Sequence, residues 1–283
     1  DVSDDGANAM ATEFLTATGF TTGSSVAGAD WTQKVIEQSF LENTLFKVQN
    51  ALDFNGKMWI INDSTVTNTS DGDTWETIST LSNVENIGHA LVFDNKIWLL
   101  CSRDTSDNKI ILNSTDGITW AQVTYSGTGF MCERHASSVV FNNKIYMVGG
   151  DSGNGAEINI DDVWSSPDGM SWTKIADTPG FTPRFYHSLV VFDNKMWIVG
   201  GYIKSNRQNV VIDDIWSTSD GITWTQATTP TGFAGRQNAG FLNYQDKMWI
   251  IAGAQNDDEA QLADVWSSSD GITWTQVTAS APF

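Results

Sequence analysis

The side chains that could do chemistry are few. The 283-residue chain has three histidines, His89, His135 and His187, and two cysteines, Cys101 and Cys132. They form no Cys/His cluster of the kind that holds zinc, and no glycine-rich loop is built to cradle phosphate. Two loops carry oxygen ligands: Asp151-Ser-Gly-Asn154-Gly-Ala-Glu157 and Asn256-Asp-Asp-Glu259. Neither has the fixed ligand positions of an EF-hand, so solvated acidic loops are expected, with a weak Ca²⁺ site as the alternative and no cofactor. Three arginines recur in a pattern: Arg134, Arg184 and Arg236, each three or four residues after a Phe. A cation held at a repeated place either contacts a partner or pairs with an acid such as Asp162, Asp214 or Asp264.

The repetition of those arginines belongs to a larger repeat. Asp-Gly-x-x-Trp occurs at Asp71–Trp75, Asp116–Trp120, Asp168–Trp172, Asp220–Trp224 and Asp270–Trp274, with successive Trp spacings of 45, 52, 52 and 50 residues. Upstream of each stands an aromatic-x-x-Lys-apolar-aromatic element: Phe54–Trp59, Phe93–Trp98, Phe141–Tyr146, Phe192–Trp197 and Tyr244–Trp249. The central pairs (Asn-Gly, Asp-Asn, Asn-Asn) tolerate the positive φ of type I′ hairpin turns, so each element reads as two strands and a tight turn. Gly149-Gly150, Gly200-Gly201 or Ala252-Gly253 follows, then a polar loop of variable length. A third strand such as Asp214–Thr218, the Asp-Gly turn and a fourth strand complete the unit.

Four short strands per ~50 residues is the arithmetic of a β-propeller blade. All 13 Trp fall on three positions of the repeat, as expected of rings packed between blades. The expectation is one all-β domain over 1–283, a single propeller of four-stranded blades at 46–78, 87–123, 135–175, 186–227 and 237–277. Ser24–Gln33 aligns without a gap on Ser267–Gln276, and Phe40 follows Trp31 at the nine-residue distance seen after Trp172, Trp224 and Trp274. This makes 1–36 a degenerate first blade and the total six. The rival reading makes Asp30 the N-cap of a helix with Gln33 its capping-box partner, leaving five blades and an N-terminal arm.

The Gly-Gly after the second strand, the Trp of the fourth and Pro183-Arg-Phe-Tyr-His-Ser188 before a first strand resemble the Kelch repeat. The Asp-Gly variant is similar to secreted bacterial Kelch-like proteins and the galactose oxidase central domain. The resemblance covers about 24–283 and implies a rigid scaffold whose loops, including arginines such as these three, contact a partner. It also prompts two tests for catalysis. A copper radical site needs a Tyr cross-linked to Cys, a second Tyr and two His, and neither cysteine has a recognisable Cys–Tyr context. Sialidase-like hydrolysis needs three Arg on a carboxylate plus a Tyr–Glu pair. The arginines occupy equivalent repeat positions, and no Tyr–Glu pair is identifiable. The chain is therefore expected not to be an enzyme, with an oxidase or glycosidase as the alternative.

A net charge of −19 disfavours a nucleic-acid partner, whose phosphates need cationic surfaces. No apolar run approaches the length of a membrane helix. The chain begins at Asp1, which reads as a processed or trimmed form. In an up-and-down blade the loops after the second and fourth strands share one end, and the tight turns share the other. Function concentrates on variable loops held by a rigid frame, so the loop end is the expected binding surface. Its contacts are expected to be Arg134, Arg184, Arg236, Tyr186, Tyr202, Lys204 and Arg207, and its partner a protein or glycan. Cys101 and Cys132 are expected at the same end and within reach of a disulfide, which would imply an oxidising compartment. The expected role is a non-catalytic recognition module, extracellular or at a cell surface, with a structural subunit of a larger assembly or virion as the alternative.

Overall fold

The computed structural model describes residues 50–281 apart from 63, 131, 133–134, 152–158, 206–207 and 256–260. Every described element is a strand. The chain divides into two compact units between Val123 and Thr124. The first unit holds two blades. Blade I is β1 (Ala51–Phe54), β2 (Lys57–Asn62), β3 (Thr65–Thr69) and β4 (Glu76–Thr80), hydrogen-bonded in that order. Blade II follows an extra strand, β5 (Val84–Asn86), and comprises β6 (His89–Phe93), β7 (Lys96–Asp104), β8 (Lys109–Ser114) and β9 (Ala121–Val123). Long β7 pairs with both β5 and β6.

The second unit holds three blades. Blade III is β10 (Ser137–Phe141), β11 (Lys144–Asp151), β12 (Asn159–Ser166) and β13 (Thr173–Ala176). Blade IV begins with β14 (Ser188–Phe192) and β15 (Lys195–Val199). A separate ribbon, β16 (Tyr202–Ser205) with β17 (Gln208–Val211), interrupts it before β18 (Ile215–Thr218) and β19 (Thr225–Ala227). Blade V is β20 (Gly240–Tyr244), β21 (Lys247–Ile251), β22 (Val265–Ser268) and β23 (Thr275–Thr278). These are the four-stranded blades of a β-propeller, five in number among the described residues. The degenerate blade or arm read at 1–36 lies outside them.

The repeat motifs account for this geometry. Both central residues of the turn between the first and second strands of every described blade have positive φ: Asn55 and Gly56, Asp94 and Asn95, Asn142 and Asn143, Asp193 and Asn194, Gln245 and Asp246. That is the type I′ turn, whose twist matches the strands it joins. In the four described blades whose second strand carries a Trp, the indole N–H donates to the carbonyl that ends the first strand, as Trp59 does to Phe54 at 2.9 Å and Trp197 to Phe192 at 3.1 Å.

In the Asp-Gly turns the carboxylate accepts the next two free backbone N–H groups. Asp220 Oδ1 takes those of Ile222 (2.8 Å) and Thr223 (2.9 Å), and Thr218 Oγ1 donates to the same oxygen. The glycine of the turn carries the blade-to-blade contact. A Cβ on Gly117 would lie 2.3 Å from the Trp59 ring, one on Gly221 2.7 Å from Tyr146, and one on Gly271 2.1 Å from Trp197. In each case the turn of one blade sits flat on the second-strand aromatic of the blade before it. That close approach is why the motif needs Gly as well as Asp. The aromatics sit in apolar clusters such as Val190, Phe192, Trp197, Met248, Ile250 and Trp266.

Two predictions follow from the turns. Gly232 and Gly271 both have positive φ, but only Gly271 faces a ring, since nothing lies within 4 Å of a Cβ on Gly232. Gly232→Ala should cost about 1 kcal/mol of backbone strain, and Gly271→Ala about 3 kcal/mol, read from urea unfolding midpoints. The N–H groups of Thr74 and Asp73 hold the Asp71 carboxyl down to about 2, from an ordinary 3.8. A carboxyl depressed in the folded state stabilises fully above its unfolded value and loses that contribution as pH falls towards the folded one. Asp71→Asn keeps an acceptor oxygen without titrating. Its unfolding midpoint should therefore fall less than that of the parent between pH 5 and pH 2, and an identical fall would contradict the assignment.

Candidate functional site

The chain segments that enter the first strands bring together most of the residues singled out from the sequence. Arg184 and Arg236 are fully buried, which corrects the expectation that they meet a partner. Arg184 makes a two-pronged ion pair with Asp214, with Nη2–Oδ2 at 2.9 Å, and donates from Nη1 to Gly200 O at 2.9 Å. Arg236 repeats the arrangement on Asp264 (2.7 and 3.0 Å) and on Ala252 O (2.9 Å). The indoles of Trp216 and Trp266 each donate to the same aspartate at 2.7 Å. Phe181 and Phe233 supply ring faces to the guanidinium groups at 5.5 and 4.1 Å. Burial raises Asp264, but the Arg236 and Trp266 hydrogen bonds outweigh it and leave the carboxyl below its ordinary value. In blade III, Asp162 pairs with Lys174 at 2.8 Å; Arg134 lies outside the described residues.

The main chain of the same arginines bonds to the preceding blade. Arg184 N donates to Ile160 O at 3.2 Å and its carbonyl accepts from Gly150 N at 2.9 Å. Arg236 does the same with Ile212 O and Gly201 N. The second strand of the preceding blade has to pass close to this carbonyl. A Cβ on Gly149 would stand 2.7 Å from Arg184 O, and one on Gly200 2.3 Å from Arg236 O. The Gly-Gly of the repeat is thus the clearance for the arginine of the next blade.

Two residues before β10, β14 and β20, three non-glycine residues share a left-handed backbone: His135 (φ 54), Tyr186 (φ 55) and Asn238 (φ 52). A backbone ladder connects them, Tyr186 N to His135 O at 3.2 Å and Asn238 N to Tyr186 O at 2.9 Å. The main chain repeats while the side chain changes from His to Tyr to Asn. A position whose backbone repeats and whose side chain does not is available for something other than the frame.

At one of these steps the side chains meet. Tyr186 Oη is 3.0 Å from His135 Nε2, and His135 Nδ1 is 3.2 Å from Asp151 Oδ2. The His135 and Tyr186 rings are 4.2 Å apart, and Tyr186 rests on Phe185 at 5.0 Å. Tyr186 and His135 are half-buried, so this part of the expected surface remains accessible. Tyr202 is 4% exposed and packs edge-on against Phe185 at 4.9 Å, so it supports the cluster from within and is not a contact residue.

The polar loop expected after Gly200-Gly201 is instead the β16–β17 ribbon. Lys204 lies in β16, and Arg207 lies outside the described residues. Val210 on β17 is 47% exposed. Of the two acidic loops, 152–158 and 256–260 also fall outside the described residues. Among the described residues no three His, Cys, Asp or Glu side chains converge on a metal position. Neither cysteine is a free thiol; both Cys101 and Cys132 are disulfide-bonded. The sequence reading missed His135 and Asp151 as neighbours of Tyr186. Counting back from each first strand, rather than from each Arg, would have aligned His135 with Tyr186.

A family model described as the KLHDC2/KLHL20/DRC7 Kelch-repeats domain matches residues 88–282. The chain belongs to the Kelch-repeat family. A comparison with curated proteins finds no match. Kelch domains generally mediate protein–protein interaction. In this Kelch chain the repeated Phe, Arg, Asp, Trp and Gly-Gly positions hold blades to one another, and the unrepeated positions lie at the strand entrances and in the ribbon.

Proposed function

We propose that this Kelch protein is a non-catalytic, extracellular recognition module that binds a protein or glycan at the loop end of blades III–V. The observation that carries the reading is the change from His135 to Tyr186 to Asn238 on one repeated backbone. Half-buried aromatic groups with a polar edge suit either partner, since they supply contact area at low entropic cost. The β16–β17 ribbon, unique to blade IV among the described blades, offers a second contact. Disulfide-bonded cysteines and an acidic surface favour an oxidising, extracellular setting.

A second reading, a structural subunit in a larger assembly, has its own support at the turn end. Met170, Ile222 and Ile272 occupy the same position after the Asp-Gly pair and are 42%, 52% and 61% exposed. Large apolar side chains repeated at exposed tips are unusual for a surface with no contact to make.

One experiment separates the readings. A photo-crosslinking residue is placed at Val210 or at Ile222, and the protein is irradiated in extracellular extract of its source. Recognition at the loop end predicts adducts to another molecule from Val210 and none from Ile222. Adducts from Ile222 alone, to a second copy or to another subunit, would establish the assembly reading. Thiol titration of the denatured, native-source protein tests the compartment: no free thiol is expected, and two would contradict it.

A further inference from the structure

The recognition reading does not use the order in which Asp151, His135 and Tyr186 are joined. A carboxylate only accepts hydrogen bonds, so His135 Nδ1, 3.2 Å from Asp151 Oδ2, must be the protonated nitrogen. In the neutral ring Nε2 is then a bare acceptor, and the Tyr186 hydroxyl at 3.0 Å donates to it. A hydroxyl, a base in reach of its proton and a carboxylate that fixes the tautomer of the base make up the arrangement that activates a nucleophile.

The three groups are held by the frame. His135 and Tyr186 occupy equivalent entrance positions whose backbones are bonded directly, Tyr186 N to His135 O at 3.2 Å. Asp151 ends β11; buried Phe185 lies against the Tyr186 ring, and buried Tyr202 packs in turn on Phe185. The left-handed φ of both His135 and Tyr186 is strain retained where the surrounding bonds enforce it. The His135 and Asp151 side chains are 24% and 15% exposed, so the relay is neither sealed from a reagent nor fully in water.

We propose that Tyr186 is an activated phenol and a covalent acceptor site for acyl groups from neutral, activated esters. Its oxygen attacks the carbonyl carbon while its proton passes to His135 Nε2. The tetrahedral adduct collapses, the bond to the leaving group breaks, and the leaving group takes the proton from Nε2. The products are a Tyr186 ester and one molecule of alcohol or phenol, with no redox partner required. A net charge of −19 repels phosphoryl and other anionic donors and leaves uncharged esters unopposed. The transfer is stoichiometric, so it stands or falls separately from the recognition reading.

The test treats the full chain with p-nitrophenyl acetate and follows acetylation of each tyrosine by mass spectrometry. Tyr186 should be acetylated about a hundredfold faster than Tyr244. His135→Gln should reduce the Tyr186 rate to near that of Tyr244, and Asp151→Asn should reduce it in the same direction, with near-ultraviolet circular dichroism confirming that each variant is folded. Recognition is read separately, from the adducts that Val210 forms in the protein with His135 and Asp151 intact. Equal rates for Tyr186 and Tyr244 in the parent protein would overturn the proposal. So would a fast Tyr186 that neither substitution slows, which would show reactivity without the relay.

Discussion

The structure depends on one buried cation at each boundary between the blades of the second unit. Arg184 and Arg236 bond through their main chains to one blade and through their side chains to the next. Removing a guanidinium from water is costly, and a buried ion pair gains nothing unless its geometry and remaining hydrogen bonds are complete. Here they are complete: each guanidinium meets both oxygens of an aspartate, a backbone carbonyl of the next blade and a carbonyl two residues back. The aspartate also accepts an indole N–H. No member of the group can move without leaving another unsatisfied, so each boundary is fixed in angle as well as in distance.

Several repeat residues that look decorative in the sequence follow from that constraint. The Gly-Gly must be small because the arginine carbonyl passes over it. The Phe three residues earlier must be aromatic because it covers the guanidinium. The third-strand Asp and the Trp two residues after it are one hydrogen-bonded pair. At the turn end a second constraint acts, where the Asp-Gly turn of one blade lies on the aromatic ring of the blade before. Between these two ends the strands need only alternate their apolar side chains.

Blade number among the described residues, strand order, hairpin type and the packing role of the tryptophans were legible in the sequence because each has a local signature repeated five times. A type I′ turn is announced by its own two residues. The destination of Arg184 was not legible, because Asp214 lies 30 residues away and the sequence leaves both partner contact and pairing with an acid open. The ribbon at 202–212 was read as a loop because its apolar residues, Ile203, Val210 and Val211, occur once and match nothing in the other blades. His135 was visible as a residue near a strand start. Its place beside Tyr186 depends on a connection one residue longer before Arg134 than before Arg184, which hides the equivalence when the arginines are used as the ruler.

Equilibrium unfolding of a double-mutant cycle at Arg236 and Asp264 tests most directly whether the arginine is an internal fastener. Arg236→Ala and Asp264→Ala should each lower stability by about 3–5 kcal/mol, since each strands a buried charge, and the double variant should lose clearly less than the sum. An Arg236→Ala protein as stable as its parent, with partner binding lost instead, would contradict the account and return Arg236 to the recognition surface.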